Sequence, residues 1–386
     1  MAGVAALVIV GSLLALRAGV QHTSWLGPWL ADVGRSVVGA PAVGKVEDAV
    51  YGVEEQWNRW RHASDPPQPM WRPAPSVPSA AGPQPAPKTA DNDVAFKPAP
   101  VGPMHERYTS TGDGLWTPLA DARQSGEPAR MYKTFLHPDD ARAWAAVAVV
   151  AVDLSSVELH LEPGLYVPEA TEPEARTMSR PGLIPKEHQS TVLAAFNGGF
   201  KAVHGNLGMH VHGITLLRAQ PWGCTIVKTS DGRIAIDTWS ELEGEPASRV
   251  WWRQTPQCLV RKGRFGDGVL VDGNTNWGAS VSGSTYIRRS AVGIDATGRV
   301  LFVGIGEAVT ASGMARAMAH AGADTVGQLD VNGSLPKFLL FEPQTLTARP
   351  LYPGLIHSRG EYVRDASSRD FFYITRKAVG EGAKAR

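Results

Sequence analysis

The chain has 386 residues, 43% of them hydrophobic, which suffices for a sizeable core in one or two domains. Thirty-eight basic residues against 37 acidic ones leave a formal charge of +1, which excludes the polycationic footprint of a nucleic-acid binder. Two cysteines, Cys224 and Cys258, are too few for a disulfide framework and lack zinc-site spacing; one bridge or two buried thiols are both open.

Ala2–Leu16 is a small-and-apolar run closed by Arg17. It is shorter than the roughly 17–25 residues of a spanning helix and suits a signal-peptide core or an uncleaved anchor. Trp25 and Trp29 behind it fit an interfacial belt. Residues 1–20 are therefore expected to be a signal or anchor segment, and the protein to be extracytoplasmic with a membrane as partner. Val46, Val50, Val53, Trp57 and Trp60 alternate at spacings of four and three, which predicts a helix within residues 21–64, either a stalk or one lying on a surface. Between Asp65 and Pro103 fall 12 of the chain's 29 prolines, so residues 65–104 are expected to be an extended spacer.

Strand signals begin in the globular part, residues 105–376, with Trp144–Leu154 and Val157–Leu161. Val192–Phe196 is a buried strand that stops at Asn197-Gly198-Gly199, where glycines allow close approaches that a Cβ would block. Beside exposed backbone N–H groups, that turn predicts a floor for an anionic ligand. Thr225–Trp239 reads as a hairpin around Ser230-Asp231-Gly232, and Gly268–Asp272 as a short strand. A second hairpin joins Tyr286–Ile294 to Arg299–Ile305. The clearest helix follows, with Ser312 as its cap, an apolar face of Met314, Ala315, Met318 and Ala321, and an end at Gly322. Thr325–Val331 runs into Asn332-Gly333-Ser334, and Lys337–Phe341 comes next. The expected fold is α+β, a single globular domain of mixed, mostly antiparallel sheets with few helices and a tail at residues 377–386.

Three blocks carry a resemblance. They are Ala195-Phe196-Asn197-Gly198-Gly199-Phe200, then Arg289-Ser290-Ala291-Val292-Gly293-Ile294-Asp295, then the stretch from Ser312-Gly313-Met314 to Leu329-Asp330-Val331-Asn332-Gly333-Ser334. In order and spacing they resemble the phosphodiester glycosidase family, over roughly Ala195–Ser334. The resemblance implies a hydrolase acting on a sugar phosphodiester or a related cell-surface glycan, with a carbohydrate or sugar-phosphate ligand and no cofactor. One departure stands out: the family's glycine run after the aspartate is here Val331-Asn332-Gly333, which motivates a second reading, a glycan-binding relative without activity.

Such chemistry needs a cation for the phosphate, and the resemblance points to Arg289, whose planar guanidinium suits bidentate oxygens. Its neighbour Arg288 should point the other way. A carboxylate must stabilise the oxocarbenium-like centre or activate water; Asp330 ranks first, Asp272 second and Glu307 third. A strong general acid is less necessary, because a phosphate monoester with a second pKa of about 6 already leaves well. Asn197, Gly198, Gly199, Asn332, Gly333 and Ser334 are expected to hold the sugar, with His210 and His212 lining the pocket and Trp277 available for stacking. Asp295 and His320 read as a turn residue and a polar helix position. The competing site is histidine-based: His204, His210 and His212 would hold a metal for a phosphodiesterase, with both rings of the His-x-His pair on one strand face.

Overall fold

The computed structural model describes residues 33, 37, 40–72, 96–123, 126–244, 248–271, 277 and 286–377. Ala2–Leu16, Trp25, Trp29, Asp272 and the tail beyond Lys377 lie outside them. Among the described residues no helix is long and apolar enough to cross a membrane.

Among the described residues three sheets form, and every strand pair within them is antiparallel. The largest has eight strands, in the order β1 (Thr117–Leu119), β2 (Met131–Leu136), β3 (Ala146–Asp153), β14 (Val300–Val309), β13 (Ile287–Ile294), β15 (Thr325–Val331), β11 (Val260–Arg261), β12 (Arg264–Phe265). A five-stranded sheet follows the order β17 (Ala348–Pro350), β16 (Phe338–Phe341), β5 (Val192–Asn197), β18 (Phe371–Arg376), β4 (Val157–Glu162). The third, also five-stranded, runs β7 (Ile214–Leu217), β6 (Met209–Val211), β10 (Arg249–Thr255), β8 (Cys224–Thr229), β9 (Ile234–Thr238). Among the described residues the α-helices are α1 (Ala40–Arg61), α2 (Lys186–Gln189), α3 (Trp239–Leu242) and α4 (Ala311–His320). The expected α+β class with few helices is the observed one.

The eight-stranded sheet is covered on both faces. Val150, Val303 and Leu329 share one core with Leu159, Ala194 and Phe372 of the second sheet and Met209 and Ile226 of the third. On the opposite face, Val149, Ala291 and Phe302 pack with Met314, Ala315 and Met318 of α4. Burial from both sides explains why β3 reads AVAVVAVD without polar alternation. Gly304 lets α4 sit close: a Cβ there would lie 2.5 Å from Met318 Sδ. The cap of α4 is Thr310, whose hydroxyl accepts from the Gly313 N–H at 3.0 Å, not Ser312. The helix therefore starts at Ala311, directly after the end of β14 at Val309 and the Thr310 cap. The expected strand at Gly268–Asp272 is corrected over its described part: residues 268–271 form turns, with Leu270 and Val271 exposed.

The two cysteines are joined, Cys224 at the start of β8 to Cys258 before β11, closing a separation of 34 residues between two sheets. A cross-link of that span constrains the unfolded chain by about 3–4 kcal/mol. Cys258→Ser with Cys224→Ser is therefore expected to lower the denaturation free energy by about that amount in urea melts under non-reducing conditions.

A polar cluster lies on the outer side of the β4–β18–β5 sheet. His160 stacks on Tyr373 at 4.6 Å, and His188 Nδ1 meets the Tyr373 hydroxyl at 2.6 Å. Burial lowers His160 from 6.5 to about 3, with Glu158 opposing the shift and Lys228 and His188 adding to it. The folded state thus binds the proton less readily than the unfolded chain. Its stability is complete above pH 6.5 and falls as the pH drops towards 3, by on the order of a few kcal/mol. His160→Gln should flatten that part of the stability-versus-pH curve measured by denaturant titration.

Candidate active site

The Asn197-Gly198-Gly199 turn does form an anion floor, but the anion is the protein's own. Gly199 N–H donates to Asp370 Oδ2 at 3.0 Å, and Gly198 N–H donates to the Asp370 carbonyl at 2.9 Å. A Cβ on Gly198 would fall inside the Asp370 carboxylate, so this position requires glycine for a close approach within the chain. Arg253 Nε completes the group, donating to Asp370 Oδ2 at 2.8 Å with both side chains wholly buried.

Asn197 is a latch. Its amide donates to Ser290 Oγ at 2.8 Å and to the Gly198 carbonyl, and its Oδ1 accepts from the Lys337 N–H at 3.0 Å. Ser290 Oγ in turn donates to the Asp330 carbonyl at 2.8 Å. One side chain thereby ties β5, β13, β15 and the entry to β16.

Asp330, at the end of β15, is buried and ion-paired with Arg369, and its Oδ1 accepts from the Val331 N–H at 2.9 Å. Burial raises its pKa, and Arg369 partly opposes that rise. Arg369, Asp370 and Arg253 went unnoticed in the sequence because no motif surrounds them.

Arg289 does not join this group. Ser290 faces Asn197, so strand alternation turns Arg289 to the α4 side of the sheet. There it is fully buried, donating to the Val309 carbonyl at 3.0 Å, the Trp277 carbonyl at 2.6 Å and Gln328 Oε1 at 3.2 Å. Burial lowers its guanidinium to about 9, still cationic at neutral pH. The expected meeting of Asn197, Arg289 and Asp330 in one hollow is corrected: the sheet separates Arg289 from the other two. Trp277 is likewise wholly buried, so it packs and does not stack on a ligand.

Arg288 takes the opposite face and meets Glu307. Its Nε donates to Glu307 Oε1 at 2.8 Å, and its Nη1 donates to the Gly333 carbonyl at 2.5 Å. The Tyr352 hydroxyl donates to the same Glu307 oxygen at 2.8 Å. Burial and the Glu307 charge hold the Tyr352 phenol well above its usual range, so it stays a donor. No described group bonds Glu307 Oε2.

These side chains line a cavity of about 480 Å³, together with His137, Trp144 and Pro353 and with His62, Asp65, Gln68 and Met70 from the N-terminal segment. That volume lies within the roughly 300–1,000 Å³ usual for small-ligand sites. Two buried wall atoms, His137 Nε2 and Trp144 Nε1, have no protein hydrogen-bond partner. Strand register explains the assembly: Leu136 pairs with Val147, Glu307 with Ala146, Ile287 with Val309 and Arg289 with Val331. His137, Glu307, Arg288 and Asp330 therefore stand in a row across one end of the large sheet.

The remaining expected residues have local roles. Asn332 Oδ1 accepts from the Ser334 N–H at 2.9 Å and from its hydroxyl, a turn that shapes the strand end. Gly333 has open space at its Cβ position and presents its carbonyl to Arg288. Asp295 accepts from the Arg299 and Val300 N–H groups in the hairpin turn, and His320 Nε2 contacts the Gly102 carbonyl. The histidines do not share a face. His210 stacks on Trp252 and meets Thr215, whereas His212 lies past the end of β6 at φ 53° and meets Glu162. His204 sits in a short 3-10 turn. Among the described residues no group of three or more His, Cys, Asp or Glu is placed to hold a metal ion.

Residues 190–334 match the family model described as phosphodiester glycosidase. The domain resembles that family. The matched segment includes Asn197, Arg288, Glu307 and Asp330, whereas Arg369 and Asp370 follow it and the cavity's N-terminal wall precedes it. Among solved structures, the zebrafish N-acetylglucosamine-1-phosphodiester alpha-N-acetylglucosaminidase catalytic domain, auto-inhibited by its pro-peptide, is 16% identical. That alignment covers 67% of this chain and 87% of the zebrafish domain, with a TM-score of 0.42. A hypothetical protein from Synechocystis is 10% identical over 64% of each chain, with a TM-score of 0.32. No curated protein matches the chain.

Proposed function

We propose that the chain is an extracytoplasmic hydrolase that cleaves a sugar phosphodiester in the Glu307 cavity. The observation that carries this reading is the pairing of Glu307 with Arg288 in a ligand-sized cavity, within the segment matching the phosphodiester glycosidases. Arg288 has five N–H donors, three of them engaged by Glu307, Gly333 and Gly354, which leaves others for phosphate oxygens. Glu307, with Oε1 held by two donors, offers Oε2 to the sugar side. In the reaction the C1–O bond to phosphorus-bound oxygen breaks, the phosphate monoester departs with the electron pair, and water supplies the hydroxyl to C1. Glu307 steadies the positive charge at C1 and accepts the proton of the attacking water. The Asp330–Arg369 pair fixes the neighbouring strand end. Export is supported by the apolar run Ala2–Leu16 and by the Cys224–Cys258 bridge, which suits an oxidising compartment.

The test is sugar release from an α-linked N-acetylglucosamine-1-phosphodiester and from hexose analogues. Wild-type protein should turn over at least one of them. Arg288→Met should raise KM by about 10²-fold, as expected for loss of a charge-assisted phosphate contact worth about 1.5–3 kcal/mol. Binding of the diester without release of sugar by wild type would replace this reading with that of a glycan-binding relative.

A further inference from the structure

Helix α1 is mounted on the domain the wrong way round for a water-facing helix. Tyr51, Glu54, Glu55, Asn58 and His62 form its half-buried side, at spacings of three and four. Glu55 bridges to Arg142 at 2.7 Å, and His62, one residue past the helix, lies against Trp144 at 5.6 Å between ring centres. The opposite side is apolar and open: Val53 is 69% exposed, Trp57 55% and Trp60 72%. The two indoles lie 5.1 Å apart, and Arg59 and Arg61 flank them in the last turn.

We infer that the Val53–Trp57–Trp60 face of α1 rests in the headgroup region of a lipid bilayer. Tryptophan and valine on one side of a helix, with arginines beside them, match an interfacial helix, in which indoles sit at headgroup depth. The chain upstream points the same way, since Ala2–Leu16 is a run that favours lipid. A second copy fits less well. The apolar spacing from Val46 to Trp60 spans about two heptads, short of the three or four that a coiled coil requires, and puts bulky indoles in the seam. Because His62 also lines the Glu307 cavity, a bilayer against α1 would lie beside that site. The inference stands on α1 and the apolar run upstream of it, and does not depend on the hydrolase reading.

Sedimentation with vesicles cannot decide the matter, because Ala2–Leu16 would carry the chain down by itself. The test therefore reads position 53. Val53→Cys in the full chain is labelled with an environment-sensitive fluorophore, and Ser155→Cys, exposed in the turn after β3, serves as control. On vesicles of phosphatidylethanolamine and phosphatidylglycerol, the probe at 53 should shift to the blue, lose intensity with brominated lipid and resist aqueous iodide. The probe at 155 should show none of these, and Trp57→Ser with Trp60→Ser should abolish the shift at 53. A probe at 53 that stays open to iodide on vesicle-bound protein overturns the inference. So does protection that grows with protein concentration in the absence of lipid, which would reveal a second copy on this face.

Discussion

Glu307→Gln should lower kcat for sugar release by about 10³-fold with little change in KM, within the ~10²–10⁴ range of a positioned proton-transfer group. The amide keeps the size of the side chain and can still accept from Tyr352 and Arg288, so the cavity wall survives. What is lost is the negative charge facing C1 and the capacity to take a proton from water. Tyr352→Phe removes one donor from the same oxygen and should cost less, about 10-fold. Asp330→Asn separates the alternatives. If it abolishes release while Glu307→Gln leaves kcat intact, the reacting carboxylate belongs on β15 and the assignment to Glu307 fails. Steady-state kinetics alongside thermal melts of each variant are sufficient.

The second large effect falls on stability. Asp370→Ala should destabilise the fold by about 3–5 kcal/mol, because it strands the Arg253 guanidinium in a site where both partners are wholly buried. It also removes the acceptor for the Gly199 N–H. Relief of like charge near Asp330 offsets little of this, since burial is the leading cause of that group's raised pKa. A shift in urea midpoint at constant slope would record the loss. A midpoint moved by less than about 1 kcal/mol would mean the turn is held by backbone bonds alone.

Much of the scaffold was legible because strands sheathed on both sides spell long apolar words: β3, β5, β13 and β15 all fell close to where the sequence placed them. The same property hid the site. In Ile287-Arg288-Arg289-Ser290-Ala291-Val292 no polar–apolar alternation marks which face is which, so the two arginines were separable in principle but not assignable. The sequence favoured Arg289; the latch at Ser290 sends it to the helix side and leaves Arg288 for the cavity. Glu307 ranks third from its place between the second hairpin and the helix, yet it pairs across from Ala146 at the open end of the sheet. Arg253, Arg369 and Asp370 lie far along the chain from Asp330, and only the folded register brings them near it.

The spacer shows the opposite failure. A proline-rich composition predicts an extended spacer over residues 65–104, of which 73–95 lie outside the described residues; at its described start Met70 and Trp71 pack on the core. Trp71 meets Phe135 edge-on at 4.9 Å, with the Lys133 ammonium 4.1 Å from its ring. Phe96, Val101 and Met104 pack on the other core. Proline prevents helix and ladder hydrogen bonds; it does not prevent aromatic anchors from seating.

The glycine pair at 198 and 199 makes room for an internal carboxylate. In this chain the Asn-Gly-Gly corner therefore serves architecture, wrapping a buried acid inside the fold. Whether this chain is a working catalyst is a separate question, one that the kinetics of Glu307→Gln address.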